Sequence, residues 1–529
     1  MSDDLREAWL RGIAANPAAP ADALVRLLDP AAGAIGPPLC ESRDLPGAFL
    51  EVVLRHPDRT LRQALARNRH VDPVLLAPLA ADPSGLVRAR LAAGPWPRPR
   101  RVRPLPDETL VALMTATDGG ADGRLTAGEI AAELESSRQI PLAFRRAMAG
   151  HPHPGIRIRA TFDWTARNAA ERRALLDDPD PEVRESARQH SWIVDPRAAE
   201  ARLPTFGTLG RPSVLSRCAL TPAVVDQCLA DGTVWPLAVN PHTPPGALAR
   251  LARHPDPRIR AQVAARPDLA PGPAAELRTD PDASVRLRAR LRPATRTWSE
   301  HDALDWVLGH GLDCTCPIMD PLVGPDGGPS PEWIASCAVS EEPALRRVAA
   351  SRPDLPAEPA AALARDEDEE VRIRLACHHP SAPAGLLLEV FTAHPVHRPH
   401  LRSLPGFPRA GTAHLVGHPD PEVRALAAVD PALPVPPLAD PDPLVRRAAA
   451  ANPSLTPSAL EALLGDPRTA EGAAANPSLP AARMHALLDH CLGTTGTATA
   501  TGEGPRERTG LPAEGQGAGS VAADTGSTR

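Results

Sequence analysis

Ten arginines recur in step along the chain, five positions past the start of a repeated turn: Arg62, Arg88, Arg157, Arg184, Arg260, Arg286, Arg346, Arg372, Arg424 and Arg446. Such a row can do one of two things. It can present guanidinium groups to phosphates as a basic stripe, or it can serve as a structural ladder in which each Arg hydrogen-bonds the turn carboxylate or helix-end carbonyls of its own or the next unit. The same turns usually supply an Asp, so charge balances locally and the ladder is the expectation. His56, His151, His254 and His418 stand where other turns have Asp before Pro, so their spacing belongs to the repeat. A catalytic His needs a positioned partner, and none is identifiable. His301, His310, Cys314, Cys316 and Cys337 could offer nitrogen and sulfur ligands to a metal. They contain no Cys-x-x-Cys pair, and buried structural thiols are the expectation. No Gly-x-Ser-x-Gly, phosphate-loop or dinucleotide motif lies in a strand-to-helix context, so an enzyme is not expected.

The elements that position these residues follow from an internal period. The segments ANPSLTPSALEALLGDP from Ala451 and VNPHTPPGALARLARHPDPRIRAQVAARP from Val239 share an Asn-Pro, a second Pro, a Leu-rich stretch and an Asp-Pro or His-Pro turn. Counted at the Pro of Asn-Pro, equivalent positions fall 26 apart at Pro17, Arg43, Arg69 and Pro95, again at Arg138, Trp164 and His190, and again at Pro241, Pro267 and Pro293. Looser copies follow at Pro353, Pro380, Arg402, Pro431, Pro453 and Pro477, with Cys218 ahead of Pro241. Each unit reads as two short helices. Leu24, Leu27 and Leu28 show the i, i+3, i+4 spacing of one apolar face in the first. In the second, Asp180 can cap, Pro181 can take the first helical position, and Val183 with Ala187 forms the buried pair. The unit closes at Asn-Pro, where Asn tolerates the left-handed terminating conformation and Pro cannot continue a helix. Isolated helices below about 12 residues are marginal in water, so the units must be stabilised by stacking on one another.

This pattern resembles the leucine-rich repeat variant family, with a turn-plus-Arg element similar to HEAT repeats, over most of residues 10–490. The resemblance implies an all-α, right-handed solenoid of about sixteen two-helix units of about 26 residues, an α-helix alternating with a short 3₁₀-type helix. Some family members carry an iron-sulfur module on clustered Cys. Only Cys40 lies in the first 200 residues here, so that cofactor is not carried over. A second resemblance is local: DGGADGRLTAGE, residues 118–129, looks like the twelve-residue loop of an EF-hand. Asp118 and Asp122 match its first and fifth positions, Gly123 the sharp turn, Arg124 the carbonyl ligand, Thr126 the ninth position and Glu129 the bidentate acid. Gly120 stands where a third oxygen ligand is expected, which lowers the affinity the resemblance implies. The competing reading is an enlarged turn between two helices of one unit.

Composition bounds the rest. The chain has 529 residues, 43% apolar but only 3% aromatic, and 65 Pro that fall at fixed offsets and so punctuate helices. Its cations are all Arg, and a net charge of -6 gives no global attraction to nucleic acid or anionic membrane. Eight scattered Cys imply reduced thiols, and the lack of a long apolar run points to the cytoplasm. The organisation expected is repeats over 1–95, a stretched unit with the EF-hand-like loop over 96–137, repeats over 138–293, an insertion over 294–340, repeats over 341–492 and a disordered Gly-, Thr- and Ala-rich tail over 493–529. Layers ~9 Å apart would make a curved body on the order of 140 Å long, whose concave face offers extended contact area. The expected function is a non-enzymatic interaction scaffold for a protein or peptide, with no cofactor beyond the candidate calcium ion. The alternatives that the HEAT resemblance implies are a nucleic-acid-binding or base-excision enzyme, or a lyase or chaperone-like helper.

Overall fold

In a central unit, helix Pro245–Leu251 buries Ala247, Leu248 and Leu251, and the chain then turns through His254 and Pro255 into helix Pro257–Ala264. Asp256 caps that second helix by accepting from the Arg258 N–H, with Pro257 in the first turn. Burial of Ile259 and Val263 completes the stacking face. The same grammar holds at Asp180, Pro181, Val183 and Ala187. The computed structural model describes residues 2–96, 102–116, 125–203, 210–266, 268–291, 298–309 and 329–493, and among these every regular element is helical and none is a strand. Both helices of most units are α-helical rather than one of them 3₁₀. The 3₁₀ form is confined to short stretches such as Ala77–Ala81 and Met148–Gly150, where a brief helix tightens its last turn, and the isolated turn Ala413–Leu415.

The Asn of Asn-Pro works differently from the expectation. Asn16 and Asn240 are extended, at φ -69° and -73°, and Arg138 is the one non-glycine residue with positive φ among those described. The following Pro is the cause, since its ring drives the preceding residue to the extended region. The Asn side chain is instead a buried clamp on the unit before it. Asn452 Nδ2 donates to the carbonyls of Ala428 and Asp430 at 2.8 and 2.9 Å, and Asn476 Nδ2 to those of Ala450 and Asn452 at 3.1 and 2.7 Å. Where a unit lacks this Asn, another donor reaches the same carbonyls: Arg43, Gln139 and Arg266 each bond two carbonyls of the preceding unit.

Second helices pack on second helices over most of the array, whereas successive first helices touch in fewer places. The second helices therefore lie on the smaller radius and form the concave wall. The stretched unit obeys this arrangement, because helix Ala127–Ser137 stacks on helix Gly85–Ala93 as the next second helix. Helices Trp298–Gly309 and Pro331–Ala338 likewise place Ala303, Leu304, Val307, Ile334 and Cys337 in the shared core, so these parts of the 294–340 stretch belong to the array.

The array is not open. Helix Asp3–Ala15 stacks on helix Ala470–Ala474 as though it were the next second helix, and one apolar core holds Leu10 and Ile13 together with Ala473, Ala474, Leu487 and Leu488. Asn16 Nδ2 donates to the carbonyls of Ala474 and Asn476 at 2.9 and 2.7 Å, the bond pair that Asn476 makes to its own predecessor. Trp9 Nε1 to the Leu464 carbonyl at 2.8 Å, Arg6 Nε to the Cys491 carbonyl at 3.0 Å and an Arg26–Asp489 ion pair at 2.7 Å complete the seam. The first units thus follow the last in space, and the solenoid closes into a ring. The extended body anticipated from layer spacing is replaced by this closure, because curvature returns the array to its own start.

Candidate functional site

The repeated arginines form a ladder along the rim where first helices turn into second helices. Arg260 grips its own turn through Nη1, which donates to the carbonyls of His254 and Pro255 at 2.8 and 3.0 Å. Its Nε and Nη2 then meet both oxygens of Asp280 in the next unit at 2.7 and 2.9 Å. Arg62 pairs with Asp82, Arg157 with Asp178, Arg346 with Asp366 and Arg424 with Asp440 in the same manner. Arg184, Arg286, Arg372 and Arg446 make the grip on their own turn carbonyls. The bidentate bond from Arg260 holds the Asp280 carboxyl below its ordinary range, and Asp280 holds the guanidinium of Arg260 above its own. These cations are committed to the fold and form no free stripe.

The turn histidines also have a structural task. Nδ1 of His56, His151, His254 and His418 accepts the N–H two residues on at 3.1 Å, as the Asp178 carboxylate does from Asp180 at 2.9 Å in another unit. An imidazole acceptor therefore replaces a carboxylate in the same turn. Of the proposed metal cluster, His310, Cys314 and Cys316 lie outside the described residues, as does the side chain of His301, while Cys337 is in the core. Asp118, Asp122 and Arg124 of the EF-hand-like loop are outside them too. Thr126 and Glu129 are described and form a capping box on helix Ala127–Ser137: Thr126 Oγ1 accepts the Glu129 N–H at 3.2 Å, and Glu129 Oε2 accepts the Thr126 N–H at 2.7 Å. The Thr126 N–H and hydroxyl, both donating to Oε2, hold the exposed Glu129 carboxyl below its ordinary range. Among the described residues no group of three or more His, Cys, Asp or Glu is placed to hold a metal.

A cavity of about 120 Å³ lies on the opposite rim, where second helices lead into the next unit; Arg69, His70, Val71, Arg103, Gln139 and Ser403 line it. Ser403 comes from a unit not adjacent to the others, and such units can meet only across the inside of the ring, so the cavity faces inward. Arg103, in the stretch that expands the fourth unit, is pinned to the wall by Nη2, which donates to the carbonyls of Arg69, His70 and Val71 at 3.1, 3.1 and 2.5 Å. Burial lowers the pKa of the Arg69 guanidinium, and burial with the neighbouring charge of Arg69 lowers that of His70, partly offset by Asp44. Sequence reasoning took Arg69 only for a worn anchor, in place of the Pro at Pro17 or Pro241. The replacement of a neutral repeat residue by a cation was a weak sign, because Arg43, Arg138 and Arg402 stand at the same anchor.

No known protein-family model matches the chain, and no curated protein is significantly similar to it. Fold and site together define an all-α helical-repeat protein with a closed array. No helix among the described residues is long and apolar enough to cross a membrane.

Proposed function

We propose that this chain is a non-enzymatic interaction scaffold that holds a protein or peptide partner against the inner wall of the ring. The observation that carries the reading is the seam, where Asn16 treats Ala474 and Asn476 as its preceding unit. Closure leaves the array no free end there, so the concave surface is set before a partner arrives and less ordering entropy opposes binding. The turn-rim cations and histidines serve the fold, which leaves the inner wall and its cavity to recognise a partner. Cross-linking of the tagged full chain in its source extract, followed by mass spectrometry, tests this. Links from a retained protein to second helices or to the rim around Arg69 are expected; links only to first helices, retention of nucleic acid alone, or no retained protein would reject it.

A second reading concerns calcium. Helix Asp107–Thr115 and helix Ala127–Ser137 pack on each other with the candidate loop between them, the helix–loop–helix frame such a loop needs. Calorimetric titration of the full chain and of Glu129→Gln with calcium is expected to show binding that the variant loses. Equal heats from both, or none at millimolar calcium, would leave an enlarged turn.

A further inference from the structure

The inward cavity has an unbalanced charge. Among the described residues its lining includes two arginines and a histidine and no carboxylate, the nearby Asp44 acting only on His70. At three comparable places in the ring the arginine has a structural partner. Arg43 clamps the carbonyls of Ala14 and Asn16, Arg266 pairs with Asp268, and Arg402 lies over the Phe391 ring with Nη2 toward the Glu422 carbonyl. Arg69 differs. Among the described residues the one hydrogen bond of its guanidinium is from Nε to the His70 ring at 3.3 Å, which leaves its terminal nitrogens to the cavity. The repeat does not ask for a cation at this position, since Pro17, Pro241, Pro453 and Pro477 occupy it in other units.

We propose that this cavity is a binding site for a single phosphate-sized oxyanion, held by the guanidinium groups of Arg69 and Arg103. Size allows it, because about 120 Å³ is well above the roughly 10–15 Å³ of probe-occupied volume that one water needs. Chemistry agrees as well: a planar guanidinium offers paired N–H donors that match two oxygens of one phosphate. Arg103 is already oriented by its bonds to the carbonyls of residues 69–71, so little side-chain freedom remains to be lost when an anion binds. Burial that disfavours charge on Arg69 and His70 is the strain that an incoming anion would relieve. The site unites three separate parts of the chain, the unit at Asn68, the expanded stretch at Arg103 and the distant unit at Ser403. A bound anion would therefore tie opposite sides of the ring together.

The test is calorimetric titration of the full chain with inorganic phosphate at low ionic strength, in parallel with Arg69→Gln, Arg103→Gln and the remote surface control Arg253→Gln. Thermal unfolding with and without phosphate supplies a second readout that also checks each variant is folded. Saturable binding is expected for the unaltered chain and for the control, with affinity about tenfold or more weaker in Arg69→Gln. A peptide bearing one phosphoserine, run beside its unphosphorylated form, separates the sources. Tighter binding than free phosphate assigns the group to a partner, and equal or weaker binding assigns it to a free anion. Binding unchanged in a folded Arg69→Gln variant, or no saturable heat and no thermal shift with millimolar phosphate, would overturn the site.

Discussion

Arg260 illustrates how one residue type can be spent on structure. Its side chain is 12% exposed and that of Asp280 is 6% exposed, so the pair lies largely out of water. Removing either member strands the other, because a buried group that loses its partner bears its desolvation without compensation. Arg260→Ala should lower stability by roughly 1–3 kcal/mol, read as a fall in denaturant midpoint with unchanged slope. Asp280→Asn in the same background should add less than it costs alone, since the two changes remove one interaction. An unchanged midpoint for Arg260→Ala would mean that the ladder is ornamental to stability.

At the scale of an element, the telling contacts are two glycines on second helices. A Cβ built at Gly12 would meet the Glu471 carbonyl oxygen and come within 2.5 Å of the Ala474 Cβ; one at Gly472 would meet the Arg447 carbonyl oxygen and the Ala450 Cβ at 2.8 Å. The first contact crosses the seam and the second is internal, yet they are the same contact. A branched side chain at either place overpacks a close helix pair, at a typical cost of about 1–3 kcal/mol. Gly12→Val should therefore loosen the seam. Cys491 is its natural reporter, since the residue is 8% exposed beside Arg6 and burial raises its pKa. Peptide-mapped alkylation at Cys491 should quicken in Gly12→Val and not in Gly472→Val, whose strain lies one unit away; equal rates in all three proteins would argue against a seam that opens there.

For the whole molecule, closure changes where the array is weakest. In an open solenoid each unit leans only on its neighbours, so terminal units lack one interface and fray first. Helix Asp3–Ala15 has both interfaces, helix Ala470–Ala474 on one side and the stretch Pro30–Ile35 leading into helix Gly36–Ser42 on the other. Its amides should exchange with deuterium as slowly as those of an internal second helix such as Pro257–Ala264. Exchange from helix Asp3–Ala15 faster by orders of magnitude would show that the ring spends much of its time open.

Much of this was legible in the residues themselves. Helix pairs follow from local chemistry that repeats: Pro in the first turn, Asp before it as a cap, and Leu or Val at helical spacing, as at Asp180, Pro181 and Val183. Even the ladder could be argued from charge balance, because Arg and Asp recur together at the same turns. The Asn was misjudged, since its clamp on a neighbouring unit is a bond between units, and a one-dimensional pattern shows only that something is needed there. Closure was hidden for the same reason. Curvature is the sum of small rotations between stacked units, and no single unit encodes whether that sum brings helix Asp3–Ala15 to helix Ala470–Ala474. The inward cavity depends on that sum too, because Arg69, Arg103 and Ser403 share a wall only once the ring has brought distant units face to face.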